Sequence, residues 1–154
     1  MAFRNKDYRI IVNQCALGEK QRRAMIDITN RPNIGWNTMV PNFMSNETRK
    51  KSIEVPVYRL DDYIKEKKLD KISLIKIDTE GFEFPILKGL QKYFENTKYR
   101  PVIYCEIAPS AYPLLGYTLS QLSDYMKKYS YRSFSPIKIN KEINITEDFL
   151  KRKL

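Results

Sequence analysis

The chain contains no histidine and only two cysteines, so the ligand set of an ordinary zinc site cannot be assembled, and any metal would have to be held by oxygen ligands. Cys15 and Cys105 each lie in an apolar, strand-like run. They read as buried, reduced thiols rather than as a disulfide framework. The five glycines (Gly18, Gly35, Gly81, Gly89, Gly116) never occur as G-x-G. No apolar run approaches the ~20 residues needed to cross a bilayer, and Met1 to Asp7 lacks the apolar centre of a signal peptide, so a cytoplasmic location is expected. Acid is in deficit as well: 28 Lys and Arg stand against 18 Asp and Glu, a net charge of +10. Such a balance attracts anions, whether nucleic acid, acidic glycan or an anionic membrane surface. The basic residues are scattered, however. The densest clusters, Arg49-Lys50-Lys51 and Lys65-Glu66-Lys67-Lys68, read as solvated faces and are not interleaved with aromatic side chains, so nucleic-acid binding is not expected.

What the chain does contain is enough apolar surface for one domain. At 154 residues, 42% hydrophobic and 12% aromatic, it is long enough to bury a real core. The domain is expected over residues 1–140, with a charged tail over 141–154. Tyr8 to Cys15 reads as a strand and Arg23 to Ile28 as a weaker one, with Gly18-Glu19-Lys20 turning between them, which predicts a hairpin. Residues 29–48, rich in Asn, Pro and Ser, form a long loop of the kind that compact domains keep for a reason. Ile53 to Tyr58 is a strand leading into a short acidic helix from Leu60 to about Lys67. Ile72 to Asp78, a helix from about Pro85 to Phe94, and Val102 to Ile107 then make a strand-helix-strand crossover. Pro85 suits the first turn of that helix, and Ile86, Leu87, Leu90 and Phe94 share one face. Thr118-Leu119-Ser120-Gln121 is a capping box ahead of an apolar stripe of Leu119, Leu122, Met126 and Tyr129. Tyr131 to Phe134 and Pro136 to Ile139 predict a final strand or hairpin.

The chemistry concentrates in Leu74-Ile75-Lys76-Ile77-Asp78-Thr79-Glu80-Gly81-Phe82-Glu83, a β-branched run ending in an acidic turn broken by glycine. In a right-handed crossover, Asp78 and Glu106 emerge on the same edge of a sheet whose strands lie ~4.8 Å apart, close enough to share a proton, a cation or a hydroxyl. Glu80 and Glu83 add negative charge, and Lys76 or a bound Mg²⁺ would balance it. Glu83 reads first as a residue that stabilises the start of the helix through its dipole, and Gly81 as the source of a positive φ angle. Lys76 is either an edge position or an inward cation facing the acids.

Several segments fall in the order and spacing of a known family. They are Ala16-Leu17-Gly18-Glu19, Val57-Tyr58-Arg59-Leu60-Asp61-Asp62-Tyr63-Ile64, the acidic segment itself, Ile86-Leu87-Lys88-Gly89-Leu90 and Pro101-Val102-Ile103-Tyr104-Cys105-Glu106. Together they resemble the FkbM-type S-adenosylmethionine-dependent methyltransferases, from about Tyr8 to about Tyr131. The resemblance implies an α/β, partial Rossmann-like methyltransferase fold: a mixed sheet with helices on both faces, in which the family's first two strands and the Gly-rich cofactor turn are missing. It implies methyl transfer from S-adenosylmethionine, with Mg²⁺ as a further candidate, onto a hydroxyl of a glycan or small metabolite, by this chain or by a larger or split enzyme. Transfer to a hydroxyl needs a base. Without histidine, that base is Asp78, Glu80, Glu106 or a tyrosine, and where members often carry a histidine two residues after the strand glutamate this chain has Ala108.

The resemblance singles out Asp78; with Glu80 and Glu106, the other acids at hand as a base, it is a catalytic candidate, and the resemblance places Gln14, Cys15 and Ala16, at the end of the family's third strand, with Asp78 as cofactor-binding. Trp36 and Lys76 are the candidates for the acceptor; Trp36 could stack on a sugar or adenine ring, or anchor the loop. No metal-ligating set is identified. In the family the third and fourth strands are separated by the two missing ones, so this chain must pair them directly, leave an edge open or form a homodimer, or else join a missing N-terminal half. The competing expectation is a non-catalytic domain that keeps the fold as an interaction module through its basic surface.

Overall fold

The computed structural model describes residues 2–4, 10–30, 32, 35–69, 71–135 and 142–145. Their seven strands fall into three small sheets. Strands β1 (Ala2–Arg4) and β2 (Ile11–Asn13) pair antiparallel. A mixed sheet in the order β3-β5-β4 is made by β3 (Ala16–Gly18), β4 (Arg22–Thr29) and β5 (Arg49–Arg59), with β3 parallel and β4 antiparallel to the central β5. The third sheet is a parallel pair, β6 (Leu74–Ile77) and β7 (Val102–Cys105).

Among the described residues, the expected hairpin between 8–15 and 23–28 is not seen. β4 takes β5 as its partner from Arg22↔Val57 to Thr29↔Arg49, a ladder long enough to outweigh the short local turn. Among the described residues β3 and β6 do not pair, so the expected single mixed sheet is replaced by smaller sheets with their own edges. A mixed α/β arrangement of this kind is compatible with a methyltransferase-like fold.

Helix α1 (Leu60–Glu66) buries Leu60 and Ile64. The single helix expected over 85–94 is two helices, α2 (Glu83–Lys88) and α3 (Gln91–Asn96), parted at Gly89-Leu90. The break has a tertiary cause. The Gly89 carbonyl accepts the Asp61 N–H at 2.8 Å, and a Cβ at Gly89 would lie 2.3 Å from the Gly18 carbonyl oxygen. Asp61 then restarts the helix, its carboxylate accepting the N–H groups of Lys92 and Tyr93 at 2.9 Å each.

A 3₁₀ segment (Pro109–Leu115) follows β7, ended by Gly116 at φ 73°. Helix α4 (Leu119–Lys128) opens on the expected capping box: Thr118 accepts the Gln121 N–H while the Gln121 side chain accepts the Thr118 N–H. Leu119, Leu122 and Tyr129 of its stripe are buried. The main core gathers Val40, Ile77, Phe82, Phe84, Leu87, Leu90, Phe94, Ala111 and Tyr112 with these residues. Phe84 meets Tyr117 and Tyr125 edge-on, with ring centroids 5.0 and 5.6 Å away, the geometry the ring quadrupoles favour. Phe134 and Glu142 make one isolated bridge. Pro136 to Ile139 and most of the tail lie outside the described residues.

Candidate functional site

Parallel pairing sets the site. The register runs from Leu74↔Val102 to Ile77↔Cys105, so Asp78 and Glu106 are the next residues on adjacent strands, and the Glu106 N–H donates to the Ile77 carbonyl at 3.0 Å. Alternation along the strands sends Ile75 and Ile77 toward the core and leaves Leu74, Lys76 and Asp78 exposed, with Val102, Tyr104 and Glu106 exposed on the neighbour. Lys76 is therefore the outward cation. Its Nζ lies 3.0 Å from Asp78 Oδ2, with both side chains largely in solvent.

Beyond Asp78 the chain makes a tight turn. Glu80 (φ 50°) and Gly81 (φ 105°) both occupy positive-φ conformations. At Gly81 glycine is required twice over: by φ, and because an added Cβ would lie 2.3 Å from the Ala111 Cβ and 3.0 Å from Val40 Cγ2. The long loop is strapped to this turn. Thr38 Oγ1 donates to the Glu80 carbonyl at 2.8 Å and accepts the Val40 N–H at 3.1 Å, while Thr38 and Asp27 exchange backbone hydrogen bonds at the root of β4.

The electrostatics match the crowding. Partial burial first, and then the carboxyls of Glu106, Asp78 and Glu83, push the Glu80 carboxyl above the ordinary glutamate range. Glu83 is fully buried. Its Oε1 accepts the Gly81 N–H at 2.6 Å and the Thr79 hydroxyl at 3.2 Å, whereas its Oε2 is buried without a hydrogen-bond partner. Desolvation raises its carboxyl too, against these hydrogen bonds. Burial, and then the Glu83, Asp78 and Glu106 carboxyls, push the Cys105 thiol up to about 12. Both cysteines are free, and at that value Cys105 stays protonated and unreactive.

The structure thus brings Asp78, Glu80, Glu106 and Lys76 to one strand edge. Gln14, exposed, and Cys15, half-buried, precede β3, and half-buried Ala16 opens that strand rather than ending it. Trp36 is 46% exposed, two residues before Thr38 in the strapped loop. Among the described residues no group of three or more Asp, Glu or Cys side chains is arranged to hold a metal ion; the expectation of Mg²⁺ finds no support, and the cation beside Asp78 is Lys76. Two cavities open elsewhere. One of about 430 Å³ lies between α1 and α3, beside Asp61, Tyr93 and Thr97. The other, about 240 Å³, lies beside Gly18, Glu19, Phe82 and Tyr117. Neither is lined by Asp78, Glu80 or Glu106; Asp78 and Glu106 are exposed and Glu80 is half-buried.

This edge lies within the segment recognised by a family model. The model described as the methyltransferase FkbM domain matches residues 3–133. The chain belongs to the FkbM methyltransferase family. Methyl transfer is accordingly the general chemistry that the FkbM domain suggests, and the matched span includes Asp78, Glu80, Glu83 and Glu106. No curated protein and no solved structure matches the chain. Among the described residues no helix is long and apolar enough to cross a membrane.

Three residues of this candidate site escaped the sequence reading: Thr38, Glu83 as more than a helix-start residue, and Tyr112, whose buried hydroxyl also lacks a partner. Glu83 carried one signal. It stands two residues after Gly81, within reach of the turn's N–H groups. Thr38 and Tyr112 reach the turn from distant parts of the chain and carried none.

Proposed function

We propose that the chain takes part in S-adenosylmethionine-dependent methyl transfer to a hydroxyl of a glycan or small metabolite, at the edge formed by the ends of β6 and β7. The observation that carries this reading is the convergence of Asp78, Glu80 and Glu106 on adjacent parallel strand ends, where ligands of open α/β sheets bind. The donor's sulfonium is a cation and its ribose offers two hydroxyls. Carboxylates suit both, and among the described residues Lys76 alone forms an ion pair with any of these three acids. When bound, the donor supplies an electrophilic methyl group.

The chain's own residues then have separable roles. Asp78, held by Lys76, would hold the donor's hydroxyls, and Glu106 would balance its positive charge. Glu80, whose carboxyl holds its proton more tightly than an ordinary glutamate, is the group best matched to accept the acceptor's hydroxyl proton near neutral pH. Trp36, in the loop strapped to Glu80 by Thr38, is the candidate for stacking on the acceptor, and Gln14, Cys15 and Ala16 remain the candidates for the adenine. Asp78 and Glu106 are exposed, and a homodimer or a further segment of polypeptide is the candidate to cover them.

Calorimetric titration with S-adenosylmethionine tests this directly. Saturable binding that weakens at least tenfold in Asp78→Ala and Glu106→Ala is expected, a loss of the size given by removing a charge-assisted hydrogen bond. Absence of heat up to millimolar donor would overturn the reading for this chain.

A further inference from the structure

Glu83 is the most anomalous group in the described structure. A glutamate is almost never fully buried unless paired, yet Glu83 is 0% exposed and no Lys or Arg among the described residues forms an ion pair with it. One oxygen gathers the Gly81 N–H and the Thr79 hydroxyl. The other is an orphan, and so is the hydroxyl of Tyr112, itself 1% exposed.

The two orphans sense one another, since the Glu83 carboxyl is, after burial, a leading cause of the rise in the Tyr112 phenol. The other titratable groups around them are Cys105 on β7 and the acids Glu80, Asp78 and Glu106, none of them a cation. A buried carboxylate in such surroundings would be very costly. The neutral acid is the form that fits: it keeps a carbonyl oxygen for the turn and gains an O–H, for which the buried Tyr112 hydroxyl, also without a partner, is the polar group at hand.

We propose that Glu83 is the positioning residue of the acidic edge: it clasps the Thr79–Gly81 turn from inside the core, with Tyr112 as the polar partner of its second oxygen, and so fixes where Asp78 and Glu80 stand. The turn needs such a clasp because Glu80 sits at φ 50°, a conformation a non-glycine side chain keeps only when its surroundings impose it. Functionally, the proposal rests on the edge being the methyl-transfer site; structurally, it does not.

The test compares Glu83→Ala, Glu83→Gln and Tyr112→Phe with the unsubstituted chain, reading amide exchange by NMR and donor affinity by calorimetry. In Glu83→Ala the Gly81 amide should exchange about tenfold faster or more than the core amides of the same variant, as expected when one local hydrogen bond is lost. Glu83→Gln, which retains a carbonyl acceptor and no charge, should restore both Gly81 protection and donor affinity. If Glu83→Ala does not fold, the Gln variant decides: loss of Gly81 protection there, or a Glu83 carboxyl titrating like an exposed glutamate in the unsubstituted chain, overturns the clasp. Equal Gly81 exchange in the Ala variant and the unsubstituted chain overturns it as well. Intact Gly81 effects with no donor binding in any form would uphold the clasp and sink the methyl-transfer reading.

Discussion

Two buried acids, Asp61 and Glu83, sit in the same small core and are handled in opposite ways. Asp61 is 7% exposed and fully engaged: Arg59 donates to it from Nε at 3.1 Å and Nη2 at 2.9 Å, and the N–H groups of Lys92 and Tyr93 complete its set. It ties β5 and α1 to the start of α3, and every contact has a structural purpose. Glu83 is more deeply buried, has no cation, and leaves one oxygen without a partner. Protein interiors rarely tolerate an unsatisfied polar atom, and local rules tend to be broken at functional sites. The difference separates a strut from a clasp: Asp61 holds elements together, whereas Glu83 holds a strained turn beside the exposed Asp78 and Glu106 carboxyls and the half-buried Glu80.

Substitutions can break this comparison or sharpen it, beginning with the largest effect. Asp61→Ala removes the partner of Arg59 and the acceptor for two helix N–H groups at once, so urea unfolding should show a loss of about 3 kcal/mol or more. A loss below 1 kcal/mol would mean Asp61 is no strut. Gly81→Ala should cost about 2 kcal/mol, from strain at positive φ and overlap with Ala111, visible as a lower thermal midpoint.

Glu83→Gln should have a smaller effect whose sign depends on pH. The Glu83 carboxyl is raised in the fold, so its contribution to stability is fully present below the unfolded value of about 4.3 and is lost as pH rises through the folded value. The unsubstituted chain should therefore lose stability relative to Glu83→Gln as pH increases from about 4, and parallel unfolding profiles for the two would refute the neutral acid. Last, Lys76→Ala removes a solvent-exposed ion pair and should leave the unfolding midpoint unchanged.

The same contrast explains what could be read from the sequence. β6, β7, α1 and α4 were legible because each is specified locally, by a β-branched run, an acidic helix start or the Thr118 capping box. The positive φ at Gly81 followed from the turn itself. The split between α2 and α3 was not legible, because Gly89 and Leu90 look helical until Asp61 and Gly18 are brought against them. Neither was the partner of β4, a choice between a short turn and a longer ladder to a strand beyond the loop. At the site, Asp78 and Glu106 could be placed side by side from crossover geometry alone. Glu83 could not, since its helix-dipole role is a local inference and its burial depends on Val40, Ala111 and Tyr112 closing over the turn.

The most direct test of the acidic edge as the methyl-transfer site is an amide NMR titration of the chain with S-adenosylmethionine. Shifts concentrated at residues 78–81 and at Glu106 to Ala108 are predicted, with smaller ones reaching Thr38 through its bond to Glu80. Shifts confined to the cavity beside Gly18, Glu19 and Tyr117, or to the basic β4–β5 ribbon, or no shifts at all, would contradict it.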